Sequence, residues 1–323
     1  LQVADDNLVW YFNQHHLITD AWSVSIIFDR MSALYARAAG AGDVSVDCLP
    51  RFEDHVRNFQ ESEDTPRYAK ARSYWHQKLV TPPEPSTFYR RPPVNHGGRT
   101  DRVPMGFGAK RTAQIRALAN DKRFRAFTLD LALFRVLATI LFGYLYRVSG
   151  NDRLAIGVPS HGRRSAKSRS TAGLFIEIYP LVVDVAPDDT LASLYQRVAT
   201  AMQELLVNAE PGVSTFENGR MFDVVLNYIT ASFGEFNGMP VTSEWVHPNH
   251  GDRNHLMRLQ VHDFDKAGEL ELYADLNVDA FVGNEKQRAV EHFLLLADAL
   301  MDDPDKPIGD IPLLVGDSHR WLI

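Results

Sequence analysis

Residues 8–12 read Leu-Val-Trp-Tyr-Phe, an unbroken apolar run, and from Val24 to Tyr35 apolar positions recur at helical spacing. The first pattern predicts a strand and the second an amphipathic helix behind it. A charged helical segment follows and ends near Lys78-Leu79. Helical apolar spacing returns over residues 110–123 and 128–148, with Thr128 placed to cap the second of these. Period-two alternation marks strands at residues 153–156, 174–185, 223–229 and 256–264, and a last helix is predicted over 284–301. Between these patterns, residues 81–104 carry Pro82, Pro83, Pro85, Pro92, Pro93 and Pro104, with Gly97-Gly98 among them. That density of proline and glycine predicts an extended connection. The pattern predicts an α/β protein of two similar lobes, residues 1–103 and residues 104–323, with no internal repeat.

Composition narrows this reading. At 323 residues, 45% apolar and 23% charged, the chain can bury a substantial core and looks like an ordinary globular enzyme. A net charge of −7 argues against a general nucleic-acid-binding surface. Cys48 is the single cysteine, which excludes an intrachain disulfide and suits a reducing cytoplasm. The longest apolar stretch, 129–146, is interrupted by Asp130, Arg135 and Gly143, so no bilayer span is expected. Nothing at the N-terminus reads as a signal peptide, and the expected location is cytoplasmic.

The chemistry concentrates at His15-His16, with Asp20 four residues after the second histidine. A strand that ends in an imidazole, with a turn and a helix behind it, is an economical way to fix a general base. Neighbouring side chains on a strand point to opposite faces, so the two histidines are expected to do different jobs. Two structural histidines beside a helix cap would leave the same trace. Asp20 could orient an imidazole as in a triad, or be a buried carboxylate that needs a cationic partner. Asn227 lies in an apolar strand, where an amide must be satisfied. It could donate to an oxyanion, accept from an amine, or make a structural hydrogen bond. His247, His250 and His255 with Asp252 suggest a metal, but Pro248 and Gly251 break any helical ligand spacing, so a turn is expected and no metal. Arg163, Arg164, Lys167 and Arg169 form a basic loop, a solvated face or a contact for an acidic partner or a phosphate.

The wording of these segments is familiar. HHxxxD over residues 15–20, followed by Ala21, Trp22 and Ser23, resembles the core motif of nonribosomal peptide synthetase condensation domains. Phe52-Glu53-Asp54-His55 with Trp75 downstream, Ile156-Gly157-Val158-Pro159 through Arg163, Gly173-Leu174-Phe175 through Pro180-Leu181, and the 224–228 strand with Asn227 are similar to further motifs of that family, in the same order. The resemblance implies a two-lobed chloramphenicol-acetyltransferase-like sandwich with mixed sheets. Only fourteen residues precede His15, where the family carries much of its first lobe, so the first lobe is expected to be incomplete and the chain a fragment.

The resemblance further implies amide formation: the amine of a carrier-bound aminoacyl acceptor attacks the thioester carbonyl of a carrier-bound acyl or peptidyl donor. Both substrates ride on the phosphopantetheine of carrier domains, the implied partners beside neighbouring synthetase domains, and no cofactor is expected on the domain itself. Holding the two arms together can supply roughly 7–11 kcal/mol of barrier lowering. His16 matches the histidine usually given the catalytic role, as base or as positioner. Asp20 matches the aspartate that braces the active-site loop against an arginine, here Arg163. Ala21 stands where the family commonly has glycine and keeps the backbone N–H considered an oxyanion donor; its presence implies a negative φ. Gly157, Pro159 and Arg164 are candidate substrate or carrier contacts. Both histidines are kept, unlike in heterocyclisation domains, and Trp22-Ser23 reverses the order usual in epimerisation domains. The alternatives are an ester-forming acyltransferase of the same superfamily and a carrier-docking module without turnover. A tunnel between two lobes, with His16 midway, is the expected architecture.

Overall fold

The computed structural model describes residues 1–40, 48–89, 97–213, 221–251, 255–264 and 268–313. In chain order the elements are β1 (Gln2–Ala4), β2 (Asn7–Leu8), α1 (Ala21–Ala38), α2 (Phe52–Ser62), α3 (Pro66–Lys78), β3 (Thr100–Pro104), α4 (Gly108–Asn120), α5 (Leu129–Ser149), β4 (Arg153–Ser160), α6 (Ala166–Ser170), β5 (Glu177–Asp184), α7 (Leu191–Val207), β6 (Val224–Ile229), β7 (Glu235–Phe236), β8 (Met239–Pro240), β9 (Met257–His262), β10 (Glu271–Asn277) and α8 (Glu285–Asp302). Their ends follow side-chain chemistry. Thr128 Oγ1 accepts from Leu131 N at 3.2 Å and starts α5. Gly150 closes that helix at φ 79°, where an L side chain would be strained.

Packing does not divide the chain at residue 103. One compact unit comprises Leu1–Glu63, His161–Ile176 and Ala231–Ser243; the other comprises Asp64–Ser160, Glu177–Thr230 and Glu244–Ile323. Helix α3 belongs to the second unit because Trp75 is buried there, stacked on Tyr179 and donating its indole N–H to Asn208 O at 2.9 Å. The proline-rich connection likewise ends inside this unit.

The second unit is built on a six-stranded mixed sheet in the order β3-β10-β9-β6-β4-β5. The β9–β6 and β6–β4 pairs are parallel, and the pairs toward both edges are antiparallel. One face presents Ile156, Val158, Leu226, Leu259, Val261, Ala274 and Leu276, all buried, to a helical layer. Helix α5 lies at the centre of that layer, in contact with α4, α7 and α8. It is long and apolar enough to cross a membrane, but Leu133, Val136, Leu137, Ile140, Leu141 and Tyr144 are fully buried within this core. In this unit β3, β10 and α7 lie where periodicity alone predicts no element. Strand β3 sits inside the proline-rich stretch and exists because β10 supplies its ladder. Helix α7 carries Leu191, Leu194, Tyr195, Val198, Met202 and Leu205 on its buried face.

The first unit corrects an expectation. The apolar run does not form a strand over residues 8–12: β2 ends at Leu8, Val9 still exchanges two backbone hydrogen bonds of 2.7 Å with Leu1, and Trp10 to Phe12 are exposed with no ladder partner among the described residues. Strand formation needs a neighbour for the backbone hydrogen bonds, which apolar composition cannot supply. Beyond Val9 the segment is held by aromatic contact. Trp10 stacks on Phe28 at 6.1 Å between ring centres, and Phe233 and Phe236 meet Phe28 edge-on at 5.5 and 5.6 Å.

Candidate active site

His15 and His16 stand in a turn, not at a strand end. Ile18 N donates to His15 O at 3.1 Å, and Leu17 N donates to His15 Nδ1 at 3.1 Å. His15 therefore holds its own turn together. His16 is exposed beside it, with no hydrogen bond among the described residues. The opposite-face argument does not apply to a turn; the two histidines differ because one ring accepts from the backbone and the other stays in solvent.

Asp20 ends the turn and starts α1. Its φ of −129° and ψ of 176° place it as N-cap, and Oδ1 accepts from Ser23 N at 2.9 Å and Ser23 Oγ at 2.8 Å. Oδ2 accepts from Phe175 N at 3.1 Å. Arg163 Nη2 reaches both carboxylate oxygens, at 2.9 and 3.0 Å. The carboxylate is thereby consumed, and it makes no hydrogen bond to His16.

Both terminal nitrogens of Arg163 are bound, while its buried Nε has no hydrogen-bond partner among the described residues. Nη1 donates to Ser168 O and Thr171 O, and Nη2 donates also to Ser23 Oγ and Gly173 O. The guanidinium carbon lies 3.9 Å from the centre of the Phe175 ring, and that ring meets the His55 ring at 4.1 Å. Burial pulls the Arg163 pKa below its ordinary value while Asp20 opposes the shift. The result is one cluster tying the start of α1 and the 161–176 segment together, with α2 packed on Phe175. Ser23, Gly173 and Phe175 belong to this cluster, with roles that motif spacing alone does not assign. Ser23 was legible, since a serine three residues after an aspartate N-cap is a capping position.

Gly173 is required by space: a Cβ there would overlap the Phe52 ring. Ala21 is the first residue of α1 and does not have positive φ, so alanine fits without strain. Its N–H is one of the first-turn donors that no intrahelical carbonyl can satisfy. Arg164 is exposed, next to His161, whose pKa burial lowers and whose ring lies 5.8 Å from Trp22.

The remaining candidates belong to the second unit. Gly157 is buried on β4, and a Cβ would overlap Phe222, so packing demands glycine there. Pro159 is half-buried and pairs with Ile178 on β5. Asn227 is half-buried on the sheet face opposite the helices and donates Nδ2–H to Gln260 Oε1, its register partner, at 2.8 Å. Gln260 donates to Asp275 Oδ2 at 3.3 Å, and Arg102 holds Asp275 with two bonds of 2.7 and 2.9 Å. None of these three was anticipated; they meet only through strand register. Glu177 points to the helical side, accepting from Tyr179 Oη at 2.9 Å and from Gly212 N. Of the histidine cluster, Asp252 lies outside the described residues. His247 approaches Asp275 at 3.6 Å, and no three metal-ligating side chains converge among the described residues.

The family model described as "Condensation domain" matches residues 1–323. Surfactin synthase subunit 1 of Bacillus subtilis (strain 168) is 22% identical over 98% of this chain and 9% of its own length. Isonitrile lipopeptide synthase of Streptomyces coeruleorubidus is 24% identical over 96% of this chain and 21% of its own. Among solved structures, the first condensation domain of the CDA synthetase superposes with a TM-score of 0.74 at 18% identity, covering 93% of this chain and 66% of that one. A starter condensation domain of rhizomide synthetase in complex with C8-CoA and Leu-SNAC gives 0.75 at 20% identity, covering 93% and 67%. The chain thus spans less than a quarter of the length of these synthetases and about two thirds of the solved domains. The mixed α/β architecture is that of the condensation-domain structures, and the chain belongs to the condensation-domain family.

Proposed function

We propose that the chain catalyses amide formation in nonribosomal peptide biosynthesis, transferring an acyl or peptidyl group from a carrier-bound thioester to the amine of a carrier-bound aminoacyl group. The observation that carries this reading is the state of the HHxxxD segment. Asp20 and Arg163 are spent on holding the loop, which leaves His16 exposed on a fixed turn, ready to meet a substrate. In this reading the amine nitrogen attacks the thioester carbonyl carbon, the nitrogen proton passes to the His16 imidazole, and the C–S bond breaks as the thiolate leaves and takes that proton from the imidazolium. The Ala21 N–H is the candidate donor to the developing oxyanion, since first-turn amides of a helix point at negative charge. Carrier domains bearing phosphopantetheine thioesters are the partners this chemistry requires, and exposed Arg164 is a candidate contact for them.

A peptide-transfer assay with loaded carrier proteins tests the reading. An amide product supports it. An ester product would assign the chain to hydroxyl acylation, and the absence of either product would leave a carrier-docking role.

A further inference from the structure

The loop between α4 and α5, residues 121–128, is pinned to the second unit. Phe124 is fully buried, meets the Tyr195 ring of α7 edge-on at 5.2 Å, and its carbonyl accepts from Tyr195 Oη. Gln196 Nε2 donates to Arg123 O at 3.1 Å, Phe124 N donates to Asp121 O at 3.0 Å, and Arg123 N donates to Asp121 Oδ1 at 2.8 Å. Arg123 also reaches Asp305 at 3.1 Å, and Thr128 caps α5. On this fixed backbone Phe127 is 98% exposed, so its ring projects into solvent, and Leu129 close by is exposed as well. An isolated exposed apolar side chain needs no explanation by itself. This one is directly preceded by Lys122, Arg123 and Arg125, all exposed, in a chain of net charge −7. Arg123 is paired with Asp121 and Asp305, whereas Lys122 and Arg125 form no ion pair among the described residues.

We propose that the 121–128 loop is a docking point for an acidic polypeptide segment, which covers Phe127 with apolar side chains and sets carboxylates against Lys122 and Arg125. The local charge is opposite in sign to that of the whole chain, so an acidic partner is repelled elsewhere and drawn here, which fixes its orientation. The backbone is already ordered, so burying the phenyl ring costs little conformational entropy, the condition under which an aromatic side chain serves as an anchor. Surfactin synthase subunit 1 and isonitrile lipopeptide synthase, of which this chain spans 9% and 21%, carry the matching stretch beside much further polypeptide. A lipid surface suits the loop less well, because one phenylalanine and one leucine bury too little apolar area for stable anchoring. A second copy meeting it loop to loop would set like charges face to face. The docking point lies within the second unit and requires nothing of His16 or of the amide-forming reading.

The test is fluorescence anisotropy with a labelled synthetic helical peptide that carries a leucine stripe on one face and glutamates on the other. A peptide with lysines in place of the glutamates is the control. The glutamate peptide should bind the wild-type chain, and its Kd should rise about tenfold or more with Phe127→Ser and again with Lys122→Glu and Arg125→Glu combined. Its binding should weaken as salt is raised, since exposed charges are screened within about 10 Å at 0.1 M. The lysine peptide should be indifferent to Phe127→Ser. Phe127→Ser should melt within about 2 °C of wild type, because the ring it removes is already in solvent, so lost binding is not lost folding. A glutamate peptide that fails to bind, or that binds all variants equally, would overturn the proposal. Sedimentation of the chain with phosphatidylglycerol vesicles that Phe127→Ser abolishes would assign the loop to lipid and overturn it too. A wild-type dimer in solution that Phe127→Ser converts to monomer would do the same in favour of a second copy.

Discussion

Asp20 and Arg163, 143 residues apart in the chain, form an ion pair whose two side chains are wholly closed to solvent, with Arg163 Nη2 2.9 Å from Asp20 Oδ1. A pair so buried contributes little over an apolar replacement, but removing one partner strands a charge. Asp20→Ala is expected to destabilise the chain by about 3–5 kcal/mol, because Arg163 loses its counter-charge and α1 loses its N-cap. Chemical denaturation of the variant checks this. A cost under about 1 kcal/mol would mean that the pair does not hold the loop.

The two histidines should separate cleanly. His16→Ala removes an exposed side chain, so Tm should stay within about 2 °C of wild type while condensation falls by about 10²–10⁴. His15→Ala removes an acceptor for Leu17 N in an exposed turn, and its stability cost should be about 1 kcal/mol or less. Parallel melting curves and product assays distinguish the roles.

Gly173→Ala should destabilise through overlap with the Phe52 ring, by about 1–3 kcal/mol. Phe52→Leu opens that space, so the glycine substitution should cost markedly less in its presence. Additive costs for the two substitutions would show that something other than the ring requires glycine.

His262 makes stability depend on pH. Burial first, and then Arg102, pull its pKa down to about 4, with Asp275 opposing. Its ring is stacked on Phe264 at 4.8 Å and meets Tyr273 at 5.2 Å and Trp245 at 5.9 Å. In the unfolded chain an imidazole titrates near pH 6.5. Between about 6.5 and 4 the unfolded chain binds the extra proton, so stability rises with pH across that window. The contribution is fully present above about 6.5 and is lost as pH falls toward 4, roughly 3 kcal/mol in all. Urea unfolding at pH 7.5 and 4.5 should show a drop in wild type that exceeds the drop in His262→Phe by about 2–3 kcal/mol.

Local pattern was enough to place the elements whose information is local. Thr128, the period of α5 and the alternation of β4, β5, β6 and β9 can be read because capping and periodicity involve residues within a turn or two. The HHxxxD segment was legible for the same reason, as adjacent letters, and so was the expectation that Asp20 needs a cation. Tertiary structure decided what depends on neighbours distant in sequence. The 8–12 run is apolar enough for a strand, yet its backbone pairing stops at Val9, so the backbone beyond stays irregular. Strand β3 forms in a proline-rich stretch because β10 lies beside it. The orientation of Asn227 comes from Gln260, Asp275 and Arg102, three residues on three other strands, brought into one chain of donors and acceptors by register alone. A hydrogen bond is set by distance in space, and spacing along the chain carries no trace of it until the strands are paired.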